Sequence, residues 1–332
     1  QLQTIQKNTI PNISKLRTSL YKDKDLIRHI CNERLAQTGL GEETVVPSPV
    51  TFGIDGTLSE LNDESGEYKS RIIAAASTSG VVNKNKKLFD YATSEQIWSE
   101  NKEKDLLQMS LLELKTVNET CKVAGESDLI IKDGPFWSVL KDLKNAFELY
   151  PECLELFSVD DLNEFVQNII NHNFVFVVKD YDSFDLRQFL NLVNKDYNHL
   201  LSKRVFDVLL NKNESFNEVD HQKKLFNKYS LLQASDKYDP AYLPYFTELV
   251  SYANGIYKGL ITKFETNEST LKIEFLDDNR FKTSKKSILK ALSLEMLGIQ
   301  KEPYATFFAE DFAKNEALKR FSLNNLDEKI GM

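Results

Sequence analysis

The chain switches between two hydrophobic rhythms. Over residues 11–36, apolar side chains recur at helical spacing among charges, at Ile13, Leu16, Leu20, Leu26, Ile27 and Ile30, and the Gly39-Leu40-Gly41 break closes the segment. Pro47 and Pro49 mark entry into a different text. From Val50 onward, short β-rich runs predict strands near 50–54, 71–78, 128–132, 174–179, 229–233, 256–264 and 270–276. Amphipathic stretches predict helices near 104–124, 136–149, 159–171, 184–201, 284–297 and 304–320. Strands and helices interleaved this way give an α/β fold, a mixed sheet flanked by helices, with an N-terminal helical segment. No repeat or low-complexity tract interrupts it. The expected organisation is residues 1–46 as the helical segment and 47–332 as one domain. The apolar stripe of the first helix needs burial somewhere, which suits docking to a partner or to a second copy.

Composition narrows the class. Hydrophobic residues make up 41% and charged residues 28% of the chain, with only 12 Gly and 8 Pro, which excludes collagen-like or long disordered regions. Cys31, Cys121 and Cys153 are odd in number and widely spaced, so neither a disulfide framework nor a CxxC zinc site is available, and a cytoplasmic location is expected. The longest apolar runs, such as residues 174–178, are far short of the roughly twenty residues that cross a bilayer, so no membrane is expected as a partner. The net charge of −8 disfavours a protein that coats DNA by bulk positive charge. It leaves room for an enzyme that meets nucleic acid in a local channel.

Two apolar strands end in Asp-Gly, at Phe52-Gly53-Ile54-Asp55-Gly56-Thr57 and at Leu129-Ile130-Ile131-Lys132-Asp133-Gly134. An acid at the end of a buried strand is held at the rim of the sheet, and the glycine after it lets the backbone turn. The helix between them carries Glu113 on the face of Leu106, Met109 and Val117, an unusual place for a carboxylate. Glu119, between Lys115 and Lys122, has the setting of a solvated charge. Three acids brought together at neutral pH call for a cation, because like charges raise one another's pKa. Oxygen ligation suits Mg2+ or Mn2+, and none of the four histidines has zinc-binding spacing. Such a cluster fits metal-assisted phosphodiester hydrolysis.

Other chemistries are poorly supported. The string Ile54-Asp55-Gly56-Thr57-Leu58 is similar to the haloacid-dehalogenase motif, but that family's nucleophilic Asp would fall at Gly53. GxxxxGK[ST], GxGxxG and GxSxG are all absent from the sequence.

The order of these motifs resembles the NurA family of nucleases. Ile54-Asp55-Gly56-Thr57 is followed by the helix with Glu113 and then by Ile130-Ile131-Lys132-Asp133-Gly134-Pro135. Val175-Phe176-Val177-Val178-Lys179-Asp180-Tyr181-Asp182-Ser183 looks like that family's strand ending in Lys and a Ser-containing turn. The run 256–276, with Ile273-Glu274-Phe275, is similar to its later strands, and Pro303 opens a last helix. The resemblance spans about residues 47–320. It implies a ribonuclease-H-like core and Mn2+-dependent DNA cleavage of 5'-3' exonuclease and single-strand endonuclease type. It also implies a homodimer and partnership with a HerA-type hexameric ATPase, in DNA end processing or anti-phage defence. On the family's pattern Asp55, Glu113 and Asp133 are metal ligands, and Lys179 contacts the scissile phosphate or orients an acid.

The terminal motif departs from the family. Where the family has Tyr-Pro and then a His about seven residues on, this chain has Glu302-Pro303 and then Glu310 or Asp311, so Glu310 is the expected replacement. The loss of that His opens an alternative, a catalytically weak or inactive scaffold of the same ATPase complex. A basic run, Arg280, Lys282, Lys285, Lys286 and Lys290, contains no acid and is a candidate surface for DNA phosphates, with Lys84, Lys86 and Lys87 as a weaker cluster.

Overall fold

The structure, a computed structural model, describes residues 12–40, 49–62, 69–82, 89–97, 101–219, 240–276, 285–296 and 302–330. Among these residues nine strands form one mixed sheet, ordered β1-β7-β8-β9-β6-β5-β2-β3-β4. They are β1 (Leu35–Gln37), β2 (Thr51–Asn62), β3 (Lys69–Ser79), β4 (Asp90–Ile97), β5 (Leu129–Asp133), β6 (Asn173–Val178), β7 (Glu214–Glu218), β8 (Tyr257–Lys263) and β9 (Thr270–Leu276). β2, β5 and β6 pair in parallel and every other pairing is antiparallel. The half β4-β3-β2-β5-β6, an antiparallel meander continued by two parallel strands, is a ribonuclease-H-like arrangement.

The helices are α1 (Ile13–Ile30), α2 (Lys102–Cys121), α3 (Phe136–Glu148), α4 (Val159–Asn171), α5 (Phe184–Val193), α6 (Ser202–Leu209), α7 (Leu243–Ile256), α8 (Lys285–Glu295) and α9 (Tyr304–Ile330). Alternation along the strands divides them between two faces. Ile54, Ile130, Phe174 and Phe176 point into a core built with α2, α3, α4 and α7. Their neighbours Leu129, Ile131, Val175 and Val177 point the other way, against α8 and the start of α9. Each fully buried Leu, Ile or Phe in these layers contributes about 1.5–3 kcal/mol.

The small residues Ala74 and Ala76 of β3 let α9 come close, and its own Ala313 and Ala317 line the contact. Gly53 extends this approach: a Cβ there would stand 2.0 Å from the Ala305 carbonyl carbon. Glu295, at the end of α8, fastens the junction by accepting from Ala305 N–H at 2.9 Å and Val82 N–H at 3.2 Å, and from the Thr51 hydroxyl.

Several elements differ from the sequence reading. The helix expected over 184–201 stops at Val193, where extended Asn194 caps a 3-10 turn over Lys195–His199 with its side chain, and α6 follows. The strand expected to end at Asp55, with a turn at Gly56, instead continues as β2 through Gly56 to Asn62, paired with β3 along its length. The helix expected over 11–36 stops at Ile30, and β1 follows a 3-10 turn. The sequence pattern does not anticipate β1, β4, β7 or α7. β4 and β7 have polar sequences, and β7 buries Glu214 because Arg28 holds both its oxygens, at 2.6 and 2.8 Å. The expected strand 229–233 lies outside the described residues.

The stripe read as a docking surface is covered by the chain itself. Leu16, Leu20 and Ile27 of α1 pack against Leu186, Leu190, Tyr197 and Phe206 of the α5–α6 region. Ile13 and Leu26 remain exposed, and β1 joins the segment to the sheet through β7. The three cysteines are free and buried. Among the described residues no helix is long and apolar enough to cross a membrane.

Candidate metal centre

Register and parity assemble the site. Ile54 of β2 is level with Lys132 of β5, and Asp133 is level with Val177 of β6. Asp55 and Asp133 therefore follow side by side, and Lys179 stands just past the end of β6. All three share the parity of Gly53, Ile131 and Val177, the face that meets α8 and α9. Gly134, with φ +86°, turns the chain immediately after Asp133, and Glu274 of β9 accepts the Phe136 N–H at 2.8 Å to pin that turn at the start of α3. Lys203 donates to the Lys179 carbonyl at 2.5 Å.

The chain around α9 adds two acids to the same place, Glu302 just before the helix and Glu310 two turns further on. Lys179 Nζ lies 3.5 Å from Asp55 Oδ2, 3.4 Å from Asp133 Oδ2 and 4.0 Å from Glu310 Oε2, and it pairs with Glu302 Oε2. One carboxylate oxygen from each of Asp55, Glu302 and Glu310 lies within 4.8 Å of the others. Burial, then Asp133 and then Glu113, raise the Asp55 pKa well above the usual carboxylate range. Burial also raises Asp133 and Glu302, against the pull of Lys179. Burial alone would lower Lys179, but Asp133, Asp55 and Glu302 raise it instead. The cluster thus holds more negative charge than one ammonium balances.

Glu113 reaches the region from the opposite face. Its carboxylate pairs with Lys132, and both side chains are buried. Lys132 also donates to the Asp133 carbonyl at 2.9 Å. Glu113 is therefore held beside Asp55, next to Gly56, but is not one of the three acids whose oxygens converge. The two halves open on one cavity of about 460 Å3, lined by Asp55, Glu113, Lys132, Asp133, Lys179 and Glu310.

Of the two C-terminal acids, Glu310 faces this cavity. Asp311 points to solvent, where its side chain accepts from Asn315 at 3.4 Å. A family model of the NurA domain matches residues 44–314. The chain belongs to the NurA domain family. The fold agrees with solved NurA structures. The NurA nuclease from Sulfolobus solfataricus, 13% identical, superposes with a TM-score of 0.56 over 95% of this chain and 94% of that one. A NurA structure with manganese, 12% identical, gives 0.54 over 98% of each chain. One bound to dAMP and manganese, 12% identical, gives 0.51 over 92% of each. At this identity the likeness is one of fold. No curated protein matches the sequence significantly.

Within this NurA-domain chain, Arg280 and Lys282 of the basic run fall outside the described residues, as do Lys84, Lys86 and Lys87. Lys285 opens α8 with its ammonium 5.7 Å from the Phe275 ring centroid. Lys286 lies over Gly39, and Lys290 is half-buried on the same helix. Two site residues had escaped assignment from the sequence. In the sequence Glu302 stands only where the family has Tyr, and its place before Pro303 at a helix start is the available signal. Lys132 carried none beyond its position next to Asp133.

Proposed function

We propose that this chain is a divalent-metal-dependent deoxyribonuclease using Mn2+ or Mg2+. The observation that carries the reading is the convergence of Asp55, Asp133, Glu302 and Glu310 on one ammonium, with Glu113 adjoining. The donor set is entirely oxygen, as hard divalent cations prefer, and burial raises the pKa values of Asp55, Asp133 and Glu302, with neighbouring acids adding to it at Asp55 and Glu302, a cost that a bound divalent ion would relieve. Asp55, Glu302 and Glu310 would hold the ion, with Asp133 and Glu113 at its margins. When bound, it would supply Lewis-acid polarisation of a phosphodiester and a deprotonated water at neutral pH. A cavity of about 460 Å3 is the size that takes up a nucleotide-sized ligand. Lys179 and Lys132 both line this cavity, each held by carboxylates, Lys179 by Asp55, Asp133, Glu302 and Glu310 and buried Lys132 by Glu113. Membership of the NurA domain family and the fold shared with NurA structures containing manganese and dAMP support the same reading.

The finer reading follows the family resemblance: 5'-3' exonuclease and single-strand endonuclease action, as a cytoplasmic homodimer working with a HerA-type hexameric ATPase in DNA end processing or anti-phage defence. The basic run at α8 would track DNA phosphates. Neutralising Lys282, Lys285 and Lys286 together should reduce the salt dependence of DNA binding by about three phosphate contacts. A carboxylate where the family has His favours the second reading, an inactive scaffold for that ATPase.

The deciding experiment is cleavage of single- and double-stranded DNA with Mn2+, with and without such an ATPase, against EDTA and Asp55→Asn controls. Mn2+-dependent products lost in the variant support the nuclease. Mn2+ binding without cleavage under any condition supports the scaffold.

A further inference from the structure

The acid cluster already contains a cation of its own. Lys179 Nζ lies within 4.0 Å of carboxylate oxygens from Asp55, Asp133, Glu302 and Glu310, which come from two strands and the α9 region. The oxygens of Asp55, Glu302 and Glu310 are mutually close enough to ligate a single ion. A divalent ion held there at about 2 Å from its oxygens would occupy the space around the ammonium. Two cations cannot share that space, since their repulsion in a half-buried site is barely screened. Lys179 reaches the cluster from the end of β6 on a flexible four-carbon stem, with about a quarter of its side chain exposed, so it can swing out without moving a strand.

We propose that Lys179 is the resident counter-ion of the acid cluster, holding the divalent-metal seat in the metal-free protein and competing with the metal for it. The device keeps four acids assembled on a folded sheet before metal arrives and sets a threshold concentration for loading. It also releases an ammonium at the mouth of the cavity once the metal is seated. The inference rests on the metal reading of the site given above.

The test is Mn2+ binding by isothermal titration calorimetry to the full chain without DNA, for wild type, Lys179→Met and Lys179→Arg. Competition requires the methionine variant to bind roughly tenfold more tightly than wild type, while the arginine variant stays near wild type. The metal-free methionine variant should also melt below wild type, because its acids have lost their counter-ion, and saturating Mn2+ should close that gap. Unchanged or weaker Mn2+ binding by Lys179→Met overturns the competition. Absence of binding in all three proteins overturns the metal reading itself. Should the methionine variant not fold, Lys179→Gln, whose amide can still donate to Glu302, replaces it in the same comparison.

Discussion

Asp55 concentrates the electrostatic strain of the site. Asp133 from β5, Glu113 from α2, and Glu302 and Glu310 from the α9 region surround it, with Lys179 as the nearby cation. Its pKa is raised in the folded state, so the native protein retains a proton that the unfolded chain releases near pH 4. Metal-free stability from this group therefore falls as pH rises from that point through the raised pKa. Asp55→Asn in EDTA should gain melting temperature over wild type, and gain more near pH 7 than near pH 5; an equal gain at both would contradict the assignment. Glu310 makes a second case. A carboxylate there adds a negative charge where an imidazole would be near-neutral. Glu310→His should keep or raise cleavage near neutral pH while raising the Mn2+ concentration for half-maximal rate. Glu310→Ala should reduce cleavage, and Asp311→Ala, altered on the solvent side, should change neither rate nor metal requirement.

At the scale of elements, the site depends on how closely α9 lies on the sheet. Helix and strand meet through alanines, and at Gly53 the helix backbone occupies the space a side chain would need. Thus the residue that removes the haloacid-dehalogenase nucleophile is the one that admits the helix carrying Glu310. Gly53→Ala would drive its Cβ against the backbone of Ala305 and Thr306, which cannot rotate away. The expected cost is about 1–3 kcal/mol in urea unfolding, with weakened Mn2+ binding because Glu302 and Glu310 shift together. A variant as stable as wild type would mean that α9 does not lie there. On the opposite face, Glu274 performs a comparable service for Asp133 by holding the start of α3.

The whole molecule closes around these contacts from both ends of the chain. α1 covers α5 and α6, β1 extends the far edge of the sheet, and α9 crosses the other half. Leu20 and Ile27 are essentially inaccessible to solvent. Leu20→Ala or Ile27→Ala should cost about 2–5 kcal/mol in a single cooperative unfolding transition. A change below about 0.5 kcal/mol, the usual range for surface positions, would show instead that the N-terminal segment is a detachable docking module.

Local sequence was sufficient wherever an element's environment is written in its own period. The apolar runs up to Asp55, Asp133 and Lys179 read as strands because both of their faces are buried, and the 256–276 hairpin read for the same reason; the continuation of β2 past Asp55 to Asn62 was not legible, because its ladder to β3 carries it through a polar stretch. Glu113 was legible as an inward-facing acid from the residues sharing its helical face. What tertiary structure decided was the company these side chains keep. Parity shows that Ile131 and Lys132 point oppositely, but not that α9 would cover one face and α2 the other. Hence the partner of Glu113 is Lys132, while Asp55 and Asp133 meet Lys179, Glu302 and Glu310. β4 and β7 were invisible for a related reason. Their residues are polar, and what makes them strands is a hydrogen-bonded ladder to β3 and β8, with burial made tolerable by distant charges such as Arg28 for Glu214 and Lys272 for Glu218. Periodicity records which way a side chain points. Only the packed sheet determines which charges it meets, because those partners come from elsewhere in the chain.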